Sequence, residues 1–206
     1  MNLFTRYYDT NLILKRALDI AYPGQLNQET ALFYIHGGGW SGGARDIYHE
    51  HLQHFSRQGY LCASAGYRLA PGANINQQME DVFTGYDLFQ QYIREHELDI
   101  RHMIVLGSSA GAHLASLLAL TEPDTFAPKL NLNLKWTRPS ACVAINGPAS
   151  LEHVTEEIRP SVEKVMGTTY KEAPELFRKA SPDHHVDEYS PDFLFILAGL
   201  EKFFPH

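Results

Sequence analysis

Short apolar runs alternate along the chain with longer segments whose apolar residues recur every three or four positions. Six of the short runs predict strands, and several are apolar without alternation, as expected for strands covered on both faces. These runs are Leu18–Ala21, Ala31–Ile35, Tyr60–Ala65, Met103–Leu106, Cys142–Asn146 and Phe193–Ala198. The longer segments predict helices between them, at Ile47–Gln58, Gln77–His96 and Ala110–Leu120.

This order of elements predicts the fold class and the domain organisation. Strands that alternate with helices form a mostly parallel central sheet with helices on both faces, so we expect an α/β protein. A length of 206 residues favours a single domain that extends from residue 1 to residue 206. Residues 123–182 include looser, proline-containing stretches, which we interpret either as a small cap-like insert or as plain connection. Brief helices are predicted within them at Glu152–Ile158, Val162–Met166 and Pro174–Ala180.

Composition narrows the classes of partner. The formal net charge is −7, which argues against nucleic acid or an anionic membrane as the main partner. The N-terminal stretch lacks the pattern of a signal peptide, and no apolar run has the length of a membrane span. We therefore expect a cytoplasmic protein. Cys62 and Cys142 both fall in predicted strands, so they are predicted to be buried free thiols.

The strongest local signal is the G-x-S-x-G pattern centred on Ser109, which lies between a predicted strand and a predicted helix. A serine at such a sharp turn is held in a strained backbone conformation, and its hydroxyl projects above the carboxyl end of the sheet. The start of the following helix places the Ala110 N–H beside any developing oxyanion. The pattern therefore predicts a nucleophilic serine.

The stretch HGGGWSGG, His36–Gly43, directly follows another predicted strand. Glycine lets backbone N–H groups approach a substrate oxygen with no Cβ in the way, so we interpret this stretch as an oxyanion loop. A phosphate-binding loop is the rival interpretation, and the absence of G-x-x-x-x-G-K-[ST] weighs against it.

Three motifs together resemble those of α/β-hydrolase esterases: HGGGW at 36–40, YRLAP at 67–71 and GSSAGAHL at 107–114. The sequence is similar to the hormone-sensitive-lipase-like carboxylesterases and to feruloyl-esterase-like and kynurenine-formamidase-like enzymes, over roughly residues 17–200. The resemblance implies the α/β-hydrolase fold with Ser109 as nucleophile. It also implies that the N–H groups of Gly38, Gly39 and Ala110 are the oxyanion donors, and that Asp81 is structural.

The general base is not evident among the histidines. The resemblance makes His36 a loop-positioning residue. His113 follows Ser109 by four positions on the predicted helix, so its side chain points along the helix and we expect a satisfied, partly buried residue. His184 and His185 are interpreted as surface or structural residues. His51 and His54 are expected on a solvated helix face, and no metal or cofactor is predicted.

The pattern of the related esterases breaks near the end of the chain. The resemblance implies an acid just after the predicted strand at 193–198, where Glu201 is the candidate and Lys202 occupies the more usual position. It implies a catalytic histidine on a later loop, but the sequence ends at His206. Three explanations are open. The chain is a piece of a longer product, or it is a natural short form that has lost its base. In the third, it recruits a histidine from another subunit or from His206.

Two functional hypotheses follow. The first is a serine hydrolase of small carboxylic esters, with aryl formamides as a further substrate class, acting through an acyl-enzyme on Ser109. The alternative is a non-catalytic α/β-hydrolase-like binding protein, or an inactive fragment that lacks the catalytic histidine. We expect the last strand and helix of the fold to be absent. Since that leaves an unpaired sheet edge, we also expect a homodimer that covers it.

Overall fold

The computed structural model describes residues 2–130 and 136–199, which contain a seven-stranded sheet in the order β1-β2-β4-β3-β5-β6-β7. Six strands lie where the apolar runs predict them. The first strand is not predicted, because its apolar residues do not form a continuous run and it lies half-exposed at the sheet edge. The strands are β1 (Asn2–Tyr7), β2 (Ala17–Tyr22), β3 (Thr30–Ile35), β4 (Leu61–Ala65), β5 (His102–Ser108), β6 (Ala141–Ile145) and β7 (Asp192–Ile196).

The helices confirm most of the sequence-based expectations. The described helices are α1 (His49–Arg57), α2 (Ile75–Glu95), α3 (Ala110–Leu120), α4 (Arg159–Met166) and α5 (Pro174–Lys179), with short 3₁₀ turns at Arg45–Tyr48, Pro123–Thr125 and Pro182–His185. The predicted helix at Glu152–Ile158 is wrong. The Thr155 carbonyl closes a separate turn there, and Pro160 favours a helix start at Arg159 because proline fits only the first helical turn.

Strand direction decides which loops meet. Strands β4, β3, β5, β6 and β7 run parallel, so their carboxyl ends share one edge of the sheet. Strand β2 runs antiparallel to β4, with Leu18 opposite Ala65, so the turn between β1 and β2 lies at that same edge. The oxyanion loop, Ser109 and the turn at residues 8–16 therefore all lie on one side of the molecule. These positions confirm an α/β fold with a mostly parallel sheet.

The two faces of the sheet are covered unequally. Helices α2 and α3 share the larger core with side chains such as Phe33 and Val105, while Leu52 of α1 packs on Leu32 of the other face. Strand β7 is the outermost strand, and within the described ranges its free edge pairs with no other strand. Leu194 and Phe195, on opposite faces of β7, are 57% and 55% exposed. The absence of a last strand and helix stays a prediction.

Two further expectations can be compared with the structure. Cys62 and Cys142 are buried free thiols, as predicted. None of the helices within 2–130 and 136–199 is long and apolar enough to cross a bilayer.

A buried carboxylate joins three segments near the carboxyl edge. Asp81 of α2 is fully buried and accepts hydrogen bonds from the Arg16 Nε at 2.7 Å and from the Arg68 backbone N–H and Nε at 2.9 and 2.7 Å. Arg16 follows the β1–β2 turn, and Arg68 belongs to the YRLAP motif. Charge-assisted bonds of this kind hold both segments against α2, which supports the structural role expected for Asp81.

We expect Asp81→Asn to lower the free energy of unfolding by about 3 kcal/mol, because it leaves two arginines without their buried counter-charge. The matched control is Glu80→Gln, since Glu80 contacts the same Arg68 at 2.9 Å but its side chain is 37% exposed. That change is expected to cost less than about 1 kcal/mol. Urea unfolding of both variants measures the difference, and equal losses would contradict a structural role for the buried carboxylate.

Candidate active site

Ser109 occupies the sharp turn between β5 and α3. Its backbone angles are φ 53° and ψ −123°, a conformation that costs a non-glycine residue about 1–3 kcal/mol. Its N–H donates to the carbonyl of Ile145 in β6 at 2.9 Å. The strain is therefore held by pairing with the neighbouring strand, as expected for a serine whose hydroxyl must stand clear of the sheet.

Two glycines allow the turn and the oxyanion loop to touch. A Cβ on Gly111 would lie 2.2 Å from the Ile35 carbonyl oxygen, and one on Gly37 would lie 2.6 Å from the Ser108 carbonyl oxygen. Both contacts are with backbone, which cannot move aside without shifting a strand. The first turn of α3 therefore packs directly against the end of β3, where the HGGGW loop begins.

The three N–H groups expected to bind an oxyanion have no acceptor within the described chain. Gly38 and Gly39 follow β3 in the loop, and neither N–H makes a hydrogen bond there. The Ala110 N–H lies in the first turn of α3, whose N–H groups have no intrahelical acceptor. Unpaired donors near a nucleophile are what stabilisation of a developing negative charge requires.

Trp40 fixes the far end of the loop through His113. The Trp40 indole Nε1–H donates to His113 Nδ1 at 3.2 Å, and His113 Nε2 lies 2.7 Å from the carbonyl oxygen of Ala180, at the end of α5. Since indole can only donate, Nδ1 must accept and Nε2–H must donate to the carbonyl. His113 is thus neutral and fully buried, and it joins the HGGGW loop, α3 and the 159–180 segment. It is satisfied as expected, although more deeply buried.

Burial sets the protonation of the two histidines nearest the loop. It lowers the pKa of His113 to about 4 and that of His36 to about 4. The His36 Nδ1 lies 2.9 Å from the Gly37 carbonyl oxygen, and its ring stacks on Tyr67 with centroids 4.2 Å apart. The Tyr67 hydroxyl in turn donates to the His36 carbonyl at 2.8 Å. These contacts fit a residue that positions the loop.

The structure brings no base to Ser109 from the residues it describes: no side chain within 2–130 or 136–199 hydrogen bonds the Ser109 hydroxyl. His184 contacts the Glu152 carboxylate, and His185 lies 2.7 Å from the Lys179 carbonyl oxygen, so both have structural partners. Glu201 and His206 lie outside the described residues.

Two further side chains form hydrogen bonds next to the candidate site, and neither belongs to a sequence motif that would identify it. The Gln78 side-chain amide donates to the Trp40 carbonyl at 2.8 Å, so α2 holds the loop from a second side. The Tyr48 hydroxyl lies 3.1 Å from Ser108 Oγ, next to the nucleophile. The two residues of each pair are more than thirty positions apart in sequence. A single polar residue on a helix or turn does not indicate a contact over such a separation.

The glycine pattern of the loop has a second interpretation that the structure does not favour. Gly37, Gly39 and Gly42 also fit G-x-G-x-x-G, a pattern that binds dinucleotides when its last glycine opens a helix. Here the loop continues into a 3₁₀ turn, and α1 begins only at His49. No group of three metal-binding side chains occurs in the described ranges. The cleft of about 320 Å³ beside β7 includes neither Ser109 nor the oxyanion loop.

The sheet order, the strained serine turn and the glycine loop define an α/β-hydrolase. Solved structures agree: esterase B from Lactobacillus rhamnosis superposes with a TM-score of 0.77 at 21% identity, covering 94% of this chain and 64% of that one. A truncated carbohydrate esterase from gut microbiota gives a TM-score of 0.76 at 20% identity, covering 96% of this chain and 76% of that one. At these identities the likeness concerns the fold.

The family is more specific. The family model BD-FAE matches residues 18–202, and the chain belongs to this family. Esterase LipC of Mycobacterium tuberculosis is 32% identical over 183 residues, 84% of this chain and 45% of LipC. Bovine arylacetamide deacetylase is 38% identical over 101 residues, 45% of this chain and 25% of that protein. The chain thus spans less than half the length of these curated relatives.

The buried neutral state of His113 predicts a pH dependence of stability. With a folded pKa of about 4 against about 6.5 when unfolded, the unfolded state binds more protons as the pH falls through this window. Stability is therefore complete above about pH 6.5 and falls toward pH 4, with a loss from His113 of about 2 kcal/mol between pH 7.5 and pH 5. His36 adds a similar loss because burial lowers its pKa in the same way.

Urea unfolding at the two pH values tests this. The variant His113→Gln cannot titrate, so it is expected to be less stable than the parent at the higher pH but to lose about 2 kcal/mol less on acidification. An equal loss in parent and variant would show that His113 does not carry the effect.

Proposed function

We propose that this chain carries the nucleophile and the oxyanion site of a serine carboxylesterase that acts on small carboxylic esters. The observation that supports the proposal is the strained turn at Ser109, which packs against the start of a glycine loop whose Gly38 and Gly39 N–H groups have no acceptor in the described chain. A strained serine without unpaired donors is only a turn, and unpaired donors without a nucleophile form only an anion site. Together they supply two parts of acyl transfer.

The reaction follows the usual course of acyl transfer. The Ser109 oxygen attacks the acyl carbon, and the carbonyl oxygen becomes an oxyanion held by the N–H groups of Gly38, Gly39 and Ala110. Collapse of the tetrahedral intermediate breaks the ester bond and expels the alcohol, which takes up a proton. Water then attacks the acyl-enzyme, releases the carboxylic acid and restores the serine.

The proton on the Ser109 hydroxyl must pass to a base. The described histidines nearest the loop, His36 and His113, have pKa values lowered by burial and are engaged in loop contacts. Glu201 remains the proposed acid, and the base is proposed to come from outside the described residues. The named esterases among the relatives support an ester substrate, and the name arylacetamide deacetylase supports aryl amides as a second class. Aryl formamides stay our proposed member of that second class.

A non-catalytic binding protein is the second candidate, and one observation favours it: no described side chain hydrogen bonds the Ser109 hydroxyl. Such a protein would keep the oxyanion site and bind a carboxylate or a carbonyl without turnover. The two candidates differ in whether Ser109 reacts.

A fluorophosphonate probe distinguishes them. We expect the folded chain to be labelled rapidly at Ser109, and Ser109→Ala to abolish the labelling. The control is Ser116→Ala on the same helix, where the hydroxyl donates to the Ala112 carbonyl at 2.8 Å and contacts the Cys142 thiol, and it should label as the parent does. A folded chain that stays unlabelled at Ser109 would contradict the esterase proposal for this chain and support the binding protein.

We place the protein in the cytoplasm, a proposal that the two buried free thiols support because reducing compartments preserve thiols. We also propose a homodimer through β7. The free edge of this strand, with apolar side chains exposed on both faces, supports pairing with a second copy.

Light scattering during size-exclusion chromatography tests the dimer. We expect a dimer that becomes a monomer in Leu194→Lys, because a charge on an edge strand opposes strand pairing. The control is Val186→Lys, a residue 65% exposed and outside the strand, which should leave the dimer intact. A monomer in the parent would contradict the proposal.

A further inference from the structure

The turn between β1 and β2 presents apolar side chains to solvent at the same edge as Ser109. Leu12, Ile13 and Leu14 are 62%, 43% and 66% exposed, and Ile47, in the 3₁₀ turn after the oxyanion loop, is 64% exposed. We call these four residues the apolar rim. Single exposed apolar residues are ordinary, but a group of them beside a reactive centre marks a binding surface.

The charged side chains of this turn, Asp9, Lys15 and Arg16, form bonds within the protein. The Arg16 side chain pairs with Asp9 and with the buried Asp81, and the Asp9 carboxylate accepts from the Asn11 N–H at 2.8 Å. The Lys15 ammonium donates to the Gly43 carbonyl at 2.7 Å. A surface loop usually presents its charged groups to water. In this turn the charged side chains are bonded within the protein, while Leu12, Ile13 and Leu14 are exposed.

The turn is also strained at one of these exposed residues. Leu12 has a φ of 53°, in the left-handed region that a bulky side chain rarely adopts and that asparagine tolerates. Nothing about local folding requires leucine at that position. The strain indicates that the apolar side chain there serves contact with something outside the fold.

The apolar rim is connected to the candidate site. Lys15 binds Gly43 at the end of the HGGGWSGG loop, and an Arg45 guanidinium N–H donates to the Leu14 carbonyl at 2.6 Å. Gly43 in turn lies against His36 and Gly37, and Gly37 lies against the Ser108 carbonyl, so a short chain of contacts joins the apolar rim to the serine turn. An alkyl chain attached at Ser109 that follows these contacts reaches the apolar rim.

The charges around the apolar rim favour a substrate chain over a lipid surface. Lys15 binds a backbone carbonyl, and Arg45 is paired with the buried Asp19 at 2.9 Å, so neither cation is turned toward anionic headgroups. The formal net charge of the chain is −7. Binding to an anionic bilayer is favoured by lysines and arginines that face the solvent. Lys15 and Arg45 do not provide such charges, because both are bonded within the protein.

From these observations we infer that the apolar rim binds the hydrocarbon chain of the ester, and so selects medium-length alkyl substrates over short ones. The inference rests on the proposed function, because the chain is held there while its ester group is at Ser109. It assigns substrate selection to the β1–β2 turn and to Ile47.

The test compares labelling of Ser109 by fluorophosphonates that bear an ethyl or an octyl chain. We expect the octyl probe to react faster, and Leu12→Asn/Leu14→Asn to reduce the octyl-to-ethyl rate ratio by about tenfold through lost apolar contact. The melting temperature of the double variant should equal or exceed that of the parent, since asparagine relieves the strain at position 12. Val186→Asn, an exposed apolar residue beside β6 and β7, at the opposite end of the strand order from the β1–β2 turn, is the control and should leave the ratio unchanged.

A binding measurement separates failure of this inference from failure of the esterase proposal. Sodium octanoate, but not propionate, should shift the NMR methyl resonances of Leu12, Ile13 and Leu14. If neither probe labels Ser109, the esterase proposal fails, and the octanoate shifts alone decide whether the apolar rim binds an alkyl chain. An unchanged rate ratio in a labelled, folded double variant, or the absence of methyl shifts, would overturn the inference.

Discussion

The two loops of the candidate site can meet only because no Cβ atom stands between them. The backbone of the Ser109 turn lies against the end of β3 at Gly111 and against the glycine loop at Gly37, at distances that any side chain would prevent. This contact holds the start of the HGGGW loop against the strained turn. The supporting contacts of Trp40, His113 and Gln78 preserve an arrangement that backbone packing makes feasible.

Most of the non-glycine residues with positive φ in the described ranges lie at the carboxyl edge of the sheet, and Glu97 at the end of α2 is the exception. Ser109, Trp40 and Leu12 all have φ between 53° and 57° without being glycine, and all three lie at the carboxyl edge of the sheet or in its loops. Each costs stability that packing elsewhere must supply. Asp81 contributes to that packing, because its bonds to Arg16 and Arg68 hold both the apolar rim's turn and the YRLAP segment against α2.

Local patterns predict the parts of this structure that depend on local chemistry. The strand-to-helix turn at Ser109, the bounds of α3 and the buried strands follow from glycine placement and apolar runs. The Trp40–His113 bond does not, because it depends on a register between segments 73 positions apart. Strand β1 is not predicted, because an exposed edge strand needs no apolar run. The apolar pattern predicts α4 only from Val162, because the first turn of this helix, Arg159–Ser161, has no apolar run. The role of residues 123–182 as cap or connection stays a prediction.

The anchoring of the 159–180 segment has a consequence for the route to Ser109. His113 binds the Ala180 carbonyl from inside the nucleophile helix, and Val162 and Phe177 of the same segment are buried in the main core. A segment held in this way cannot swing aside as a hinged lid without breaking a buried hydrogen bond and exposing apolar surface. Ser161 of this segment faces Gly39, since a Cβ there would lie 4.0 Å from the Ser161 Oγ. In the proposed esterase the segment is therefore a fixed wall beside the glycine loop, which would limit substrates by their size.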